Sequence, residues 1–411
     1  MIRRWKPEDV FTPRRPMVNE AMYIPRDGLE NALLRATKGT QHMILSGDSG
    51  CGKSWLFKKV FEDNNIEYLI VDCANVDRFE SLDAEFRTII NRKHNSQKVG
   101  YTEKKTGGIK IPVAEASLTS ESEYKVMQMD PFERVLQLLR LDAKDKQAIL
   151  VIENLEAIIK TKSRMSELAN IITLCDNPHY AQYDIKILIV GVPKDVRTYF
   201  SKTLNQETVS NRIRELPDVE GLDKLSTETF IKTGFNQHLG YDLDIDTLKE
   251  WGEKLYSLTM GIPLHLHELC LEIASIPRKS RGSTSQIDIG AQRWTTGSMN
   301  KTRANLESLM NTRKAATGRR NQVLFALGKI TRESFTVSDI EFEVRSAFPE
   351  STNVKNLNVG KILQSLSKES LPIIRNNGKG KTYSIEDKRY AMVIRSILYI
   401  EDGIVKIVEE L

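Results

Sequence analysis

The sequence predicts an α/β fold, a parallel sheet with helices on both faces, followed by a helical lid and a winged-helix domain. Three observations predict it. Short apolar runs alternate with helical patterns over the first half of the chain. Gly47-Asp48-Ser49-Gly50-Cys51-Gly52-Lys53-Ser54 completes the pattern G-x-x-x-x-G-K-[ST] between one apolar run and the next helix. After Leu222 the strand signals stop, and consecutive helical patterns lead to a Gly-rich basic hairpin.

Taken in order, residues 1–25 read as an N-terminal arm containing Phe11-Thr12-Pro13-Arg14-Arg15-Pro16, and residues 26–222 as the core, opening on a helix from Arg26 to Leu34. Met43-Ile44-Leu45 is short and apolar, as a buried parallel strand should be, and Trp55 to Phe61 has helical apolar spacing. In that frame the loop's backbone N–H groups and the helix N-terminus face phosphates, Lys53 reaches the β and γ phosphates of ATP, and Ser54 ligates Mg²⁺. Gly47, Asp48, Ser49, Gly50, Cys51, Gly52, Lys53, Ser54 and the adjoining Trp55 are therefore the expected nucleotide-binding residues.

Tyr68 to Asp72 reads as a second strand and Ser81 to Arg92 as a helix, after which residues 93–125 turn polar and read as an exposed, partly mobile insertion. Pro131 starts a helix with Phe132, Val135, Leu136, Leu138 and Leu139 on its apolar side. Ala148 to Glu153 is the third strand, a helix runs near Ser163 to Leu174, and Ile187 to Val190 is the fourth strand. Several of these strands are apolar throughout rather than alternating, which argues a sheet covered on both faces.

Residues 223–276 carry three helical patterns (Thr229 to Leu239, Ile245 to Thr259, Leu264 to Ala274) that would form a lid on the nucleotide. Residues 277–320 read as a basic linker: between Arg278 and Arg320 the basic residues face only Asp288 and Glu307, a balance that prefers polyanions or stays solvated. In residues 321–411, helical segments near Val323 to Lys329, Val337 to Ala347 and Val359 to Leu366 precede two β-prone runs around Asn376-Asn377-Gly378-Lys379-Gly380-Lys381, the winged-helix order.

The bulk properties agree. A chain of 411 residues with 40% apolar and 28% charged residues is ordinary for soluble globular proteins and long enough for two to four domains. Its apolar stretches are too short to span a bilayer and no apolar region follows Met1-Ile2-Arg3-Arg4-Trp5-Lys6, so a cytoplasmic protein with no membrane partner is expected. Cys51, Cys73, Cys175 and Cys270 show neither disulfide nor zinc spacing.

Phosphoryl transfer also needs a second anionic Mg²⁺ ligand and a group that orients or deprotonates water, delivered at the end of a neighbouring strand. Glu153 fills the first role in place of the more usual Asp, and Glu156, three residues on, the second. Asn154 stands where many such ATPases carry the catalytic carboxylate.

From Arg26 to Leu398 the chain resembles the AAA+ and STAND branches of P-loop ATPases, which include origin-recognition initiators, transposition-targeting ATPases and defence-associated switches. Arg26-Asp27-Gly28-Leu29-Glu30 is similar to the R-x-x-x-E element of these families, which implies that Arg26 lies by the adenine. Glu153-Asn154-Leu155-Glu156 resembles the acidic-x-hydrophobic-acidic STAND element, and Gly261-Ile262-Pro263-Leu264 that branch's Gly-x-Pro element, which implies Pro263 as a nucleotide contact. Gly191-Val192-Pro193 departs from the polar sensor of initiators and is similar to transposition ATPases. The lid has no Arg beside Pro263, which leaves His265 as the sensing candidate there. Arg212 and Arg214 fall where AAA+ relatives place arginines that reach a neighbouring subunit's nucleotide, which implies hydrolysis coupled to homo-oligomerisation.

The expected function is an ATP-binding, slowly hydrolysing molecular switch that assembles on or near DNA, with Lys355, Lys361, Arg375, Lys379 and Lys381 of the winged helix on phosphates. The alternative is a signalling or scaffold ATPase of a bacterial defence system whose winged helix contacts a partner protein. A small-molecule kinase is disfavoured, since a helical lid and winged helix stand where an acceptor pocket would be needed.

Overall fold

The structure is a computed structural model that describes residues 5–103, 130–191, 209–277, 284–311, 318–378 and 382–408. Most of the expected insertion lies outside these residues, as do Val192, Pro193, Lys379 and Lys381. The chain divides into two units: residues 25–220, and residues 1–24 with 221–411.

A short helix α1 (Pro7–Val10) precedes the first of these units, which contains α2 (Asp27–Thr37), β1 (His42–Leu45), α3 (Lys53–Asp63), β2 (Glu67–Asp72), α4 (Cys73–Phe79) and α5 (Leu82–Glu103). It continues with α6 (Pro131–Ala143), β3 (Ala148–Glu153), α7 (Lys162–Leu174), α8 (Pro178–Ala181), β4 (Ile185–Val190) and β5 (Ile213–Glu215). The strands form one parallel sheet in the order β2-β3-β4-β1-β5. All of β1, and β3 as far as Ile152, is buried, which is why these strands read as unbroken apolar runs. Because every strand points the same way, the ends of β1, β2, β3 and β4 share one edge of the sheet, where ligands bind in open α/β folds. Local chemistry sets the helix starts: Asp130 accepts from the Glu133 amide at 3.1 Å and Pro131 occupies the first turn of α6. Helix α5 runs on to Glu103, past the expected end at Arg92 and into the segment read as an insertion.

The second unit begins with the N-terminal segment. Phe11 is fully buried, its ring 5.9 Å from that of Phe230 and 5.0 Å from that of Phe235, and the Thr12 amide donates to His267 Nδ1 at 3.2 Å. The segment is thus part of a helical core. That core contains α9 (Lys224–Ile231), continued by a π-helical turn Lys232–His238, then α10 (Ile245–Thr259), α11 (Pro263–Ala274), α12 (Thr284–Thr296) and α13 (Asn300–Leu309).

The last two helices correct the expected linker. Ile287, Ala291, Trp294 and Leu306 are buried, and so is Arg303, which donates to Glu307 at 2.7 Å. Basic composition concealed a buried face, because the long cations occupy the other sides of each helix or are paired.

Helix α14 (Arg319–Lys329), β6 (Phe335–Thr336), α15 (Val337–Ala347), α16 (Val359–Leu366), β7 (Ile374–Asn376) and β8 (Thr382–Ile385) follow. Strands β6, β8 and β7 pair antiparallel in that order, so helix, strand, two helices and a hairpin give the winged-helix arrangement. Thr336 and Asp339 form a reciprocal capping box at the start of α15. Beyond the expectation come α17 (Lys388–Ile397) and a hairpin of β9 (Leu398–Glu401) and β10 (Ile404–Ile407). Arg395 of α17 donates to the Ser257 carbonyl of α10 at 2.8 Å and to the Ile330 carbonyl at 2.9 Å, which ties the helical core to the winged helix. No helix among the described residues is long and apolar enough to cross a membrane.

Candidate active site

The phosphate-binding loop joins the end of β1 to the start of α3. Gly47 has φ 150° and a Cβ there would stand 2.3 Å from the Val219 carbonyl oxygen, so only glycine fits. Gly52, in the left-handed region at φ 91°, is the N-cap residue of α3 and turns the chain into the helix. The loop lies against the segment after β5: the Val219 amide donates to the Ser46 carbonyl at 2.8 Å, and the Ser46 hydroxyl donates to Asp218.

Lys53 curls back over its own loop. Its ammonium donates to the carbonyls of Gly47 at 2.7 Å and Asp48 at 2.9 Å, and burial holds its pKa below the usual lysine range. Its electrostatic neighbours include Glu156 and Glu153. The Ser54 hydroxyl donates to Glu153 Oε1, joining α3 to the end of β3, 99 positions further along the chain. A hydroxyl and a carboxylate converging at a helix N-terminus form an all-oxygen donor set of the kind a hard divalent cation takes, so these residues fit Mg²⁺. When bound, the metal would neutralise phosphate charge; Ser54 and Glu153 would hold it.

Arg26 precedes α2 and grips backbone. One guanidinium nitrogen donates to the Cys51 carbonyl and another to the Glu220 carbonyl, both at 2.9 Å, while its amide donates to Glu30 at 2.7 Å. The R-x-x-x-E spacing is thereby explained locally: Glu30 caps the helix that Arg26 starts. Cys51 itself is buried. Trp55 is half-buried in the first turn of α3.

Glu156 is exposed in a 3₁₀ turn, Leu155–Ala157, that follows β3. Asn154, between strand and turn, is left-handed at φ 59°, and its side-chain amide donates to Asp72 Oδ1 at 2.9 Å. Asp72 lies opposite Glu153 in the β2–β3 register. Sequence reasoning missed Asp72, although an acid closing an apolar strand is the same signal that identified Glu153.

The remaining expected residues are divided between the two units. Arg212 is ion-paired with Asp176 within its own chain, and Arg214 is exposed on the edge strand β5. Pro263 is in the first turn of α11, in the other unit, and His265 is buried there with its Nδ1 3.0 Å from Glu268 and the Trp294 ring 5.9 Å away, so that nitrogen is already engaged. Lys355, Lys361 and Arg375 are exposed on the winged helix.

Residues 35–200 match the AAA domain family. No curated protein matches the sequence. Among solved structures, the chain is similar to the Walker-type ATPase of Pyrococcus abyssi, with a TM-score of 0.51 and 16% identity over 93% of this chain and 99% of that one. A TM-score of 0.44 and 13% identity relate it to the Orc2 protein of Aeropyrum pernix in its ADPNP–ADP complexes, over 94% and 98% of the chains. The Orc1 protein of Aeropyrum pernix in complex with DNA gives 0.43 and 12%, over 95% and 96%. At such identity the Pyrococcus abyssi likeness is one of fold.

Proposed function

We propose that this chain, whose residues 35–200 match the AAA domain, is an ATP-dependent molecular switch that binds ATP with Mg²⁺, hydrolyses it slowly, and assembles on or near DNA through its winged helix. The observation that carries the reading is the junction of loop and strand: Lys53 in the glycine loop and Ser54 hydrogen-bonded to Glu153. Backbone amides and Lys53 hold the phosphates, Ser54 and Glu153 take the metal, and Glu156, exposed beside Lys53 electrostatically, orients water toward the γ-phosphorus. Water and ATP become ADP, phosphate and a proton released to solvent. Differential affinity of two arrangements of the protein for ATP and ADP supplies the switch.

Exposed Lys355, Lys361 and Arg375 support a DNA contact of the phosphate-binding kind. The second reading is a signalling or scaffold ATPase of a bacterial defence system whose winged helix contacts protein, for which Phe342, 68% exposed on α15, is a side chain available to such a contact. Two measurements test the proposal. Lys53→Ala should abolish nucleotide binding and phosphate release; unchanged uptake in that variant removes the whole reading. Duplex DNA should be retarded by the parent at low salt and released at high salt, as counterion release requires. Absence of any shift at low salt with ATP analogue present favours the protein-contact reading.

A further inference from the structure

We propose that Asp72, at the end of β2, is a positioning residue for ATP hydrolysis: it holds the turn that carries Glu156 and the strand end that carries Glu153. The assignment rests on the hydrolysis reading above and deepens it.

The turn needs holding. Asn154 leaves β3 in the left-handed region, at φ 59° and ψ 42°, which a short polar side chain tolerates better than most but does not prefer. On one side of Asn154 stands Glu153, hydrogen-bonded to Ser54; on the other stands the 3₁₀ turn with Glu156. A rotation at Asn154 would therefore move both carboxylates against the phosphate-binding loop.

Asp72 opposes that rotation. Its Oδ1 accepts from the Asn154 side-chain amide at 2.9 Å and from the Ala74 backbone amide at 2.9 Å, so the carboxylate is fixed by the start of α4 while it fixes the turn. Its Cα is paired with that of Glu153 in the parallel ladder, so the anchoring point belongs to the rigid sheet. From the other side the turn is closed by Gly191 at the end of β4, where a Cβ would come within 2.6 Å of Leu155 Cβ. Held between β2 and β4, the turn has little freedom left, and the Asp72 to Asn154 bond is its one side-chain tether among the hydrogen bonds described.

A positioning role differs in its consequences from a role in contact with the attacking water. The bond needs an acceptor at Oδ1, not a negative charge, and Asn is as good a helix N-cap as Asp. Asp72→Asn should keep turnover within about threefold of the parent, whereas Asp72→Ala should lower kcat by about 10 to 100-fold, the scale of an ångström-level misplacement, with the KM for ATP and the affinity for ADP nearly unchanged. Asn154→Ala should also lower kcat, and the double variant should lose less than the product of the two single losses, since the two substitutions share one bond.

The four variants and the parent are assayed together for phosphate release and for ADP binding. Full activity in Asp72→Ala overturns the assignment, as does a loss in Asp72→Asn equal to that in Asp72→Ala, which would mean that the charge acts directly. Strictly multiplicative losses in the double variant overturn it too. Absence of turnover in the parent would instead defeat the hydrolysis reading, and this assignment with it.

Discussion

Arg26 and Cys51 are joined by a 2.9 Å hydrogen bond from guanidinium to main-chain carbonyl, so the residue that starts α2 also braces the middle of the phosphate-binding loop. The same guanidinium reaches the Glu220 carbonyl. A planar fork can bridge two carbonyls in fixed directions; an ammonium on a flexible stem cannot do so equally well. Arg26→Ala and Arg26→Lys should therefore both weaken ATP binding, the alanine variant by about tenfold, equivalent to roughly 1.4 kcal/mol. Titration with a fluorescent ATP analogue reads this directly, and equal affinities in all three proteins would show that the loop holds its shape unaided.

That bond also marks where sequence reading stops. The loop was legible because its glycines, lysine and serine are contiguous, and the sheet because apolar runs such as Ala148 to Ile152 announce buried parallel strands. Contacts between residues far apart in the chain leave no such signature: Asp72 against Asn154, or Phe11 against Phe235, depend on register and docking that local patterns do not encode. In α12 and α13 the hindrance was of another kind. Arg293 and Lys301 lie on exposed sides of helices whose other sides bury Trp294 and Leu306, so net charge spoke louder than spacing. Arg303 goes further, being itself buried and paired with Glu307.

His42 should make the ATPase unit sensitive to mild acid. Its ring is buried in β1, Nδ1 accepts from the Ile187 amide at 3.1 Å, and burial lowers its pKa from an ordinary 6.5 to about 4, with the neighbouring Asp176 opposing the shift. The folded state thus holds the neutral ring while the unfolded chain takes up a proton below pH 6.5. The resulting stability is complete above pH 6.5 and is lost progressively as pH falls toward about 4, by roughly 3 kcal/mol at most. Urea midpoints measured from pH 7.5 down to 5 should fall in the parent and fall less steeply in His42→Gln. Parallel curves would show that other groups carry the acid response.

Phe11 should contribute more to stability than its place near the chain start suggests. It is fully buried: the ring lies among Phe230, Phe235 and His267, and a Cβ added at Gly234 would stand 2.6 Å from it. Phe11→Ala should cost about 3 to 5 kcal/mol in the unit that contains it, and Gly234→Ala should also destabilise by crowding the ring. Denaturant melts of both variants check this. A Phe11→Ala midpoint equal to that of the parent would mean that the segment adds nothing to the helical core.

Arg214 is the better placed of the two arginines for action on a neighbouring subunit. Arg212 is paired with Asp176, and its carbonyl accepts from the His42 amide at 2.8 Å, so it has a role inside its own chain. Arg214 is exposed on the edge strand β5, where a second copy could meet it. Arginines supplied in trans raise phosphoryl-transfer rates by about 10³ to 10⁵, and for a slow ATPase at least about a tenfold loss is expected in Arg214→Ala, with ATP affinity within about threefold of the parent. Complementation separates action in trans from action in cis. Lys53→Ala subunits cannot hold ATP but still offer Arg214, and Arg214→Ala subunits hold ATP but lack the arginine. Mixing the two should therefore raise turnover above what either shows alone. If the mixture stays as slow as Arg214→Ala by itself, while the parent's specific activity rises with its concentration, assembly stimulates hydrolysis by a route that does not pass through this residue.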